Sequence, residues 1–325
     1  MSGMAIRRFP ASTIYLLLFG YTSFCVISGI FLAEGTLHPG RRLLSPEAVA
    51  EARKMSQGYH ARFDEVAITA GDGVVLRAWS IELQTDKPGP NDAVVLLHGV
   101  SDNRVGMTGY AQFLLDRGYS VLMPDARAHG TSGGEFATYG LLEGDDIRRW
   151  FEWLSANQHP QCIFGFGESM GAAQILESLK TEPNFCAVGA ESPFSNLREI
   201  GFDRVGQAFH TGPWLGRTLL RPVVEIAFQY ARWKYKLDLE QASPEDIVAG
   251  TKVPVFLIHG QIDSNIPVRH SYRIRARNSS VNLWEVPNAD HCGAITVARD
   301  ELETRLTGWF TRSNGDNHFP ALSTR

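Results

Sequence analysis

Between residues 93 and 311, short apolar runs alternate with longer stretches of helical spacing, and this alternation leaves few folds open. The runs at 93–97, 120–123, 161–166, 186–190, 253–258 and 282–286 are rich in β-branched and aromatic residues. Unbroken apolar character is what strands covered on both faces of a parallel sheet require. Helical segments at 106–117, 143–157, 170–180, 268–277 and 295–311 separate the runs. The pattern therefore reads as α/β, a mostly parallel, doubly wound sheet. Two earlier runs, 63–69 and 74–81, flank Asp72-Gly73, a hairpin signal, and should lead into the sheet as an antiparallel pair. One interval breaks the rhythm: no strand-like run occurs between residues 190 and 253. There Leu219, Leu220, Val223, Val224, Ala227, Tyr230 and Ala231 recur at three- and four-residue steps, one apolar helix face. Residues 195–241 are expected to form a helical cap.

Composition narrows the class of function. Of 325 residues, 44% are hydrophobic and 20% charged, which is globular and excludes collagen-like, disordered and disulfide-knot chains. The formal charge is −4 and the basic residues are scattered, so no nucleic-acid partner is expected. The four cysteines, Cys25, Cys162, Cys186 and Cys292, lack the paired spacing of a structural zinc site.

The N-terminus is a separate problem. Residues 14–33 contain no charge, and a helix of this length spans about 30 Å, the thickness of bilayer hydrocarbon. Arg7 and Arg8 precede it and favour a cytoplasmic N-terminus, with Arg41 and Arg42 weakening the asymmetry. A cleaved signal would end in small residues, but Phe31 stands where one is wanted in Phe31-Leu32-Ala33. Cys25 follows Thr22-Ser23-Phe24, a poor lipoprotein site. The preferred division is a short cytoplasmic segment 1–12, a transmembrane anchor 13–33, a stalk 34–60, a catalytic body 61–313 and a flexible tail 314–325. The body would then lie outside the cytoplasm, at the membrane or, if the segment were cleaved, secreted. Within the stalk, Ser45-Pro46-Glu47 opens a helical pattern with Ser as cap and Pro at the first helical position.

The chemistry concentrates at Gly167-Glu168-Ser169-Met170-Gly171, which matches G-x-S-x-G where the strand 161–166 meets a helix beginning at Met170. Such a serine sits on a sharp turn with its hydroxyl projecting from the sheet, and small neighbours let the backbone crowd around it. A serine hydroxyl is a weak nucleophile unless a base takes its proton and an acid orients that base. In a doubly wound sheet the partners come from loops at the strands' C-terminal ends. Asp263 follows the strand 253–258, and His291 follows the strand 282–286. Glu191 and Asp290 compete with Asp263 for the acid role, though Asp290 is too near His291 in sequence to reach its far nitrogen. His98 and His259, both before glycine at strand ends, suit hydrogen bonds to loop backbone. An oxyanion would need two donors. The N–H of Met170 is one, and the N–H of Val100, in His98-Gly99-Val100-Ser101-Asp102-Asn103, is the choice for the second. Ser101 and Asn103 are assigned to capping the next helix.

These residues resemble the α/β-hydrolase superfamily from about Phe63 to Thr311, most nearly small bacterial membrane-anchored or cell-surface hydrolases of the esterase and prolyl-oligopeptidase-like branch. Asp125-Ala126-Arg127-Ala128-His129-Gly130-Thr131-Ser132-Gly133 extends the likeness as the loop after the fourth strand, mostly structural in that family. The resemblance implies an α/β-hydrolase fold, a Ser169–His291–Asp263 triad and acyl transfer through a covalent acyl-enzyme. It implies no metal or organic cofactor. Epoxide and haloalkane hydrolases of this fold carry Asp where Ser169 stands. The expected substrate is a small molecule with a modest apolar acyl ester, a thioester or peptide bond being the alternatives, and a catalytically silent binding protein the alternative of another kind. Trp214, Leu215, Leu219, Phe228, Tyr230 and Trp233 of the cap are available to line a pocket, most of them expected as packing contacts. Cys162 and Cys186 each begin one of two adjacent strands, and two buried free thiols are preferred there over a disulfide. Cys292 is assigned no role.

Overall fold

The computed structural model describes residues 10–84, 91–181 and 184–315. Arg7 and Arg8, and residues 316–325 of the expected tail, lie outside these. The chain divides into two compact units, Met1–Thr36 with Gly201–Leu239, and Leu37–Ile200 with Glu240–Arg325. In chain order the elements are α1 (Ala11–Leu37), α2 (Pro46–Gly58), β1 (Ala61–Thr69), β2 (Val75–Leu83), β3 (Ala93–Leu97), α3 (Thr108–Asp116), β4 (Ser120–Pro124), α4 (Glu143–Asn157), β5 (Ile163–Glu168), α5 (Met170–Ser178), β6 (Ala187–Glu191), α6 (Leu197–Ala208), α7 (Trp214–Arg217), α8 (Arg221–Tyr235), α9 (Pro244–Gly250), β7 (Val255–Gly260), α10 (Arg269–Arg277), β8 (Asn282–Val286), α11 (Ala294–Val297) and α12 (Arg299–Gly315).

The larger unit holds an eight-stranded sheet in the order β1-β2-β4-β3-β5-β6-β7-β8. β1 and β2 pair antiparallel as the expected lead-in hairpin, β2 meets β4 antiparallel, and every later pair is parallel. Successive strand residues point to opposite faces, and both faces are covered. Val94, Leu96, Val121, Met123, Phe164 and Phe166 join Tyr110 and Phe113 of α3 and Leu306 and Phe310 of α12 in one apolar layer. Val95, Leu97, Leu122 and Ile163 join Trp150 of α4, Ile175 of α5 and Ile274 of α10 in the other. This is why the sequence runs are apolar throughout. The chain leaves β3 toward β4 on one side and returns as β5 on the other, with α3 and α5 on opposite faces. The crevice beyond the C-terminal ends of β3 and β5 is thus the switch point at which such sheets bind ligands.

Three expectations need correction within this unit. Residues 46–58 do not stand off as a stalk. They form α2, capped by Ser45, whose side chain accepts the Ala48 N–H, and Ala52 is buried in the core beside the sheet. The last helical stretch is two helices, α11 and α12, broken at Ala298. Cys162 and Cys186 are joined in a disulfide with Cα atoms 5.8 Å apart, not free. β5 and β6 are parallel neighbours in a register pairing Phe164 with Ala187, and the Cys186 N–H donates to Ile163 O, so the two cysteines enter the sheet side by side.

The smaller unit combines α1 with residues 201–239, which include most of α6 and all of α7 and α8. Leu220, Val223, Val224, Ala227 and Ala231 of the expected apolar stripe are buried. Of the candidate pocket residues, Phe228 is buried, whereas Trp214, Leu219 and Trp233 are 60%, 60% and 72% exposed and are not packing contacts. α1 lies along α8. A Cβ on Gly29 would come within 2.8 Å of Ile226 Cβ, and Cys25 and Ala33, one turn to either side on the same face, are buried. The Tyr21 hydroxyl donates to Leu219 O. The Glu34 carboxylate accepts from Tyr230 Oη at 2.6 Å, Lys234 Nζ at 2.7 Å and Tyr235 Oη at 2.7 Å. Contacts advance together along both helices, so the pair is parallel. Tyr15, Leu16, Leu17, Phe19, Ile27 and Phe31 remain exposed on α1.

Candidate active site

Ser169 sits between the end of β5 and the start of α5 with φ 52° and ψ −110°. A non-glycine residue at positive φ costs on the order of 1–3 kcal/mol and persists only where its surroundings fix it. They do so here. The Ser169 N–H donates to Glu191 O at 2.8 Å, and a Cβ on Gly171 would lie 2.3 Å from Leu97 O, so α5 packs against the end of β3 more closely than any side chain permits. Gly167 is under the same constraint, its virtual Cβ falling 2.3 Å from the Gly171 backbone.

The loops after β7 and β8 bring two side chains to the hydroxyl. His291 Nε2 is 2.9 Å from Ser169 Oγ, and His291 Nδ1 is 2.9 Å from Asp263 Oδ2. Asp263 Oδ1 accepts the N–H groups of Asn265 and Ile266 at 3.0 and 2.8 Å, which fixes the carboxylate plane. Burial alone would raise the Asp263 carboxyl, but His259 and His291 beside it outweigh burial and hold it well below the usual carboxylate range. An anionic Asp263 makes Nδ1 the donor and leaves Nε2 free to accept from the serine hydroxyl. Of the competing acids, Asp290 accepts from Ser264 N and Oγ and from the His291 N–H at 2.8, 3.0 and 2.8 Å, so it braces this loop and does not touch the imidazole. Glu191 is turned toward Tyr110 and Ala294.

The loop after β3 closes the other side of the hydroxyl. A Cβ on Gly99 would lie 3.7 Å from Ser169 Cβ, so the Gly99-Val100 segment runs beside the serine. The Asp102 N–H bonds Gly99 O at 3.4 Å across a turn in which Ser101 has φ 62°. Asn103 caps the turn that follows by accepting the Val105 N–H at 2.9 Å. His98 Nδ1–H donates to Gly99 O at 2.7 Å while its Nε2 accepts the Ala126 N–H at 3.1 Å, joining this loop to the one after β4. Burial, with His129 alongside, lowers the His98 imidazole to about 4, so it is neutral in this role. Met170 is the first residue of α5, where a backbone N–H has no intrahelical acceptor. The loop after β4 is locked by Asp125, which accepts from Arg104 N and Nη2 at 2.9 and 2.6 Å and from Thr131 N at 2.7 Å. His259 donates through Nε2 to Ile266 O at 2.7 Å.

Sequence reasoning missed Tyr110. Its hydroxyl, carried on α3, lies 2.5 Å from Glu168 Oε1 and 2.8 Å from Glu191 Oε2. Glu168, inside the glycine-rich turn, had no assigned role.

The sequence model of the alpha/beta hydrolase family matches residues 94–303. The chain belongs to that family. The uncharacterized protein YqkD of Bacillus subtilis (strain 168) is 26% identical over 236 residues, 70% of this chain and 74% of its own length. The uncharacterized protein Rv2307c of Mycobacterium tuberculosis is 30% identical over 230 residues, covering 70% and 72%. Among solved structures, the Pyrococcus furiosus esterase Pf2001 superposes with a TM-score of 0.65 at 27% identity, covering 86% of this chain and 100% of that one. An acylaminoacyl peptidase of Pyrococcus horikoshii gives a TM-score of 0.61 at 17% identity, covering 80% and 43%, a likeness of fold.

Proposed function

We propose that this member of the alpha/beta hydrolase family is a serine hydrolase that cleaves a carboxylic ester through an acyl-enzyme. The observation that carries this reading is the continuous row from Ser169 Oγ through His291 to Asp263, with both links at 2.9 Å. It lies at the switch-point crevice, where chemistry on such sheets is done. Ser169 attacks the acyl carbon as His291 Nε2 takes its proton, and Asp263 stabilises the imidazolium through Nδ1. The N–H groups of Met170 and Val100 receive the charge that develops on the carbonyl oxygen. His291 then returns the proton to the leaving alcohol, and water repeats the cycle to release the acid. The likeness to an esterase at 27% identity favours an ester over an amide, because the peptidase likeness at 17% speaks only for the fold.

α1 is read as the anchor that keeps the protein at a lipid bilayer through its exposed apolar face, with the larger unit outside the cytoplasm. The Cys162–Cys186 disulfide supports that side of the membrane, since such bonds persist in oxidising compartments. The deciding experiment measures hydrolysis of p-nitrophenyl esters of graded chain length by wild type and Ser169→Ala. Activity in the wild type alone, with covalent labelling of Ser169 by a fluorophosphonate, is the expected result. Equal rates for the two proteins, with no label on Ser169, would sink the assignment.

A further inference from the structure

Behind the nucleophile, three polar side chains meet that the reaction above does not use. Tyr110 on α3 and Glu191 at the end of β6 are each only 1% exposed, and Glu168 directly precedes Ser169. The Tyr110 oxygen is within hydrogen-bond distance of both carboxyl groups, 2.5 Å from Glu168 and 2.8 Å from Glu191. A phenol has one proton and can donate to only one of them. The second contact requires a carboxyl that donates to the phenol oxygen, so the cluster must carry one proton beyond that of the tyrosine.

Through Glu191 the cluster is tied to both the Ser169 turn and the loop that carries His291. Glu191 O accepts the Ser169 N–H at 2.8 Å, and Glu191 Oε1 accepts the Ala294 N–H at 2.9 Å, three residues past His291. We propose that Tyr110, Glu168 and Glu191 are positioning residues that keep one extra proton between the two carboxyl groups and, while they hold it, fix the Ser169 turn and the His291 loop in register. The inference rests on Ser169 being the nucleophile. Loss of that proton places two negative charges across one phenol in a buried site, where each repels the other and neither can be solvated. The charged or titratable groups that face the cluster are Asp102 from the loop after β3, His259 at the end of β7, and His291 and Cys292 after β8. Burial, and the Glu191 carboxylate beside it, push the Glu168 carboxyl up to about 8. Burial likewise raises Glu191 and Tyr110.

Two measurements test this. The first is the pH profile of kcat/KM for wild type and Glu168→Gln, which reports ionisations of the free enzyme. The amide keeps a donor for Tyr110 and cannot ionise. Wild-type kcat/KM is expected to fall as pH rises through about 8, by about tenfold per pH unit beyond the midpoint, with no such fall in the variant. An alkaline fall that survives in Glu168→Gln overturns the proposal. The second needs no activity: the infrared carbonyl band of a protonated carboxyl, read as the difference between wild type and Glu168→Gln so that the buried Glu177, also pushed up to about 8, cancels, is expected at neutral pH and lost above about pH 8. Its absence at neutral pH overturns the shared proton even if the esterase reading stands. Conversely, a failed fluorophosphonate label with the band present overturns the nucleophile while leaving the proton where it is.

Discussion

Ser169 takes a backbone conformation that few residues tolerate, and its neighbours are arranged to enforce it. At this scale the predictions concern single side chains. Replacing Ser169 or His291 by Ala is expected to lower kcat by roughly 10⁴- to 10⁶-fold, with far-UV circular dichroism unchanged. Asp263→Asn should cost about 10⁴-fold by stabilising the wrong imidazole tautomer. Asp263 also has a signature in stability. Its folded-state carboxyl is held below its unfolded value of 3.8, so its contribution is present at neutral pH and lost as pH falls below about 4. The melting temperature of Asp263→Asn should therefore depend less on pH than that of wild type across the acid range, and parallel curves would refute the point. That Ser169, His291 and Asp263 would come together was legible in the sequence because each follows a recognisable strand. Tyr110 was not, because it sits inside α3, 58 residues before Glu168, among apolar neighbours whose spacing marks it as core.

The elements show where pattern suffices and where register decides. Every strand among the described residues was foreseen, β3 to β7 because burial on both faces leaves a continuous apolar signature, and β1 and β2 because Asp72-Gly73 marks the hairpin between them. Edges shifted: β5 ends at Glu168 and β7 at Gly260, two residues beyond expectation, because pairing with neighbours extends them past the apolar run. The disulfide was misjudged for a related reason. Its formation depends on the parallel register of β5 and β6, which places Cys162 beside Cys186, and composition carries no register. A cross-link between residues 24 apart is worth about 3 kcal/mol by loop-closure arguments. Cys162→Ser and Cys186→Ser should each lower the melting temperature by as much as reduction lowers that of the wild type. A reductant that leaves wild-type melting unchanged would mean that the bridge does not form in the isolated protein.

At the scale of the whole molecule, the first helix presents two faces that its sequence alone could not separate, an exposed apolar one and one packed on α8. Its length and apolar character were legible in the sequence, but the face of Cys25, Gly29 and Ala33 that lies against α8 was not, because the amphipathic pattern of α8 gave no hint of which helix it would meet. Protein made in its native host is expected to stay in the membrane pellet after alkaline carbonate washing and to keep residues before Glu34 when its N-terminus is sequenced. Recovery in the soluble fraction with an N-terminus at or beyond Glu34 would refute retention.

Three donors converge on the carboxylate of Glu34, and this bears on how the chain matures. Proteolysis after Ala33 would turn that residue into a free amine terminus, placing a second ammonium against Lys234 and stripping α8 of the small-residue ridge that covers Ile226. Trimming there would thus leave Val223 and Ile226 of α8 without the part of α1 that now lies against them.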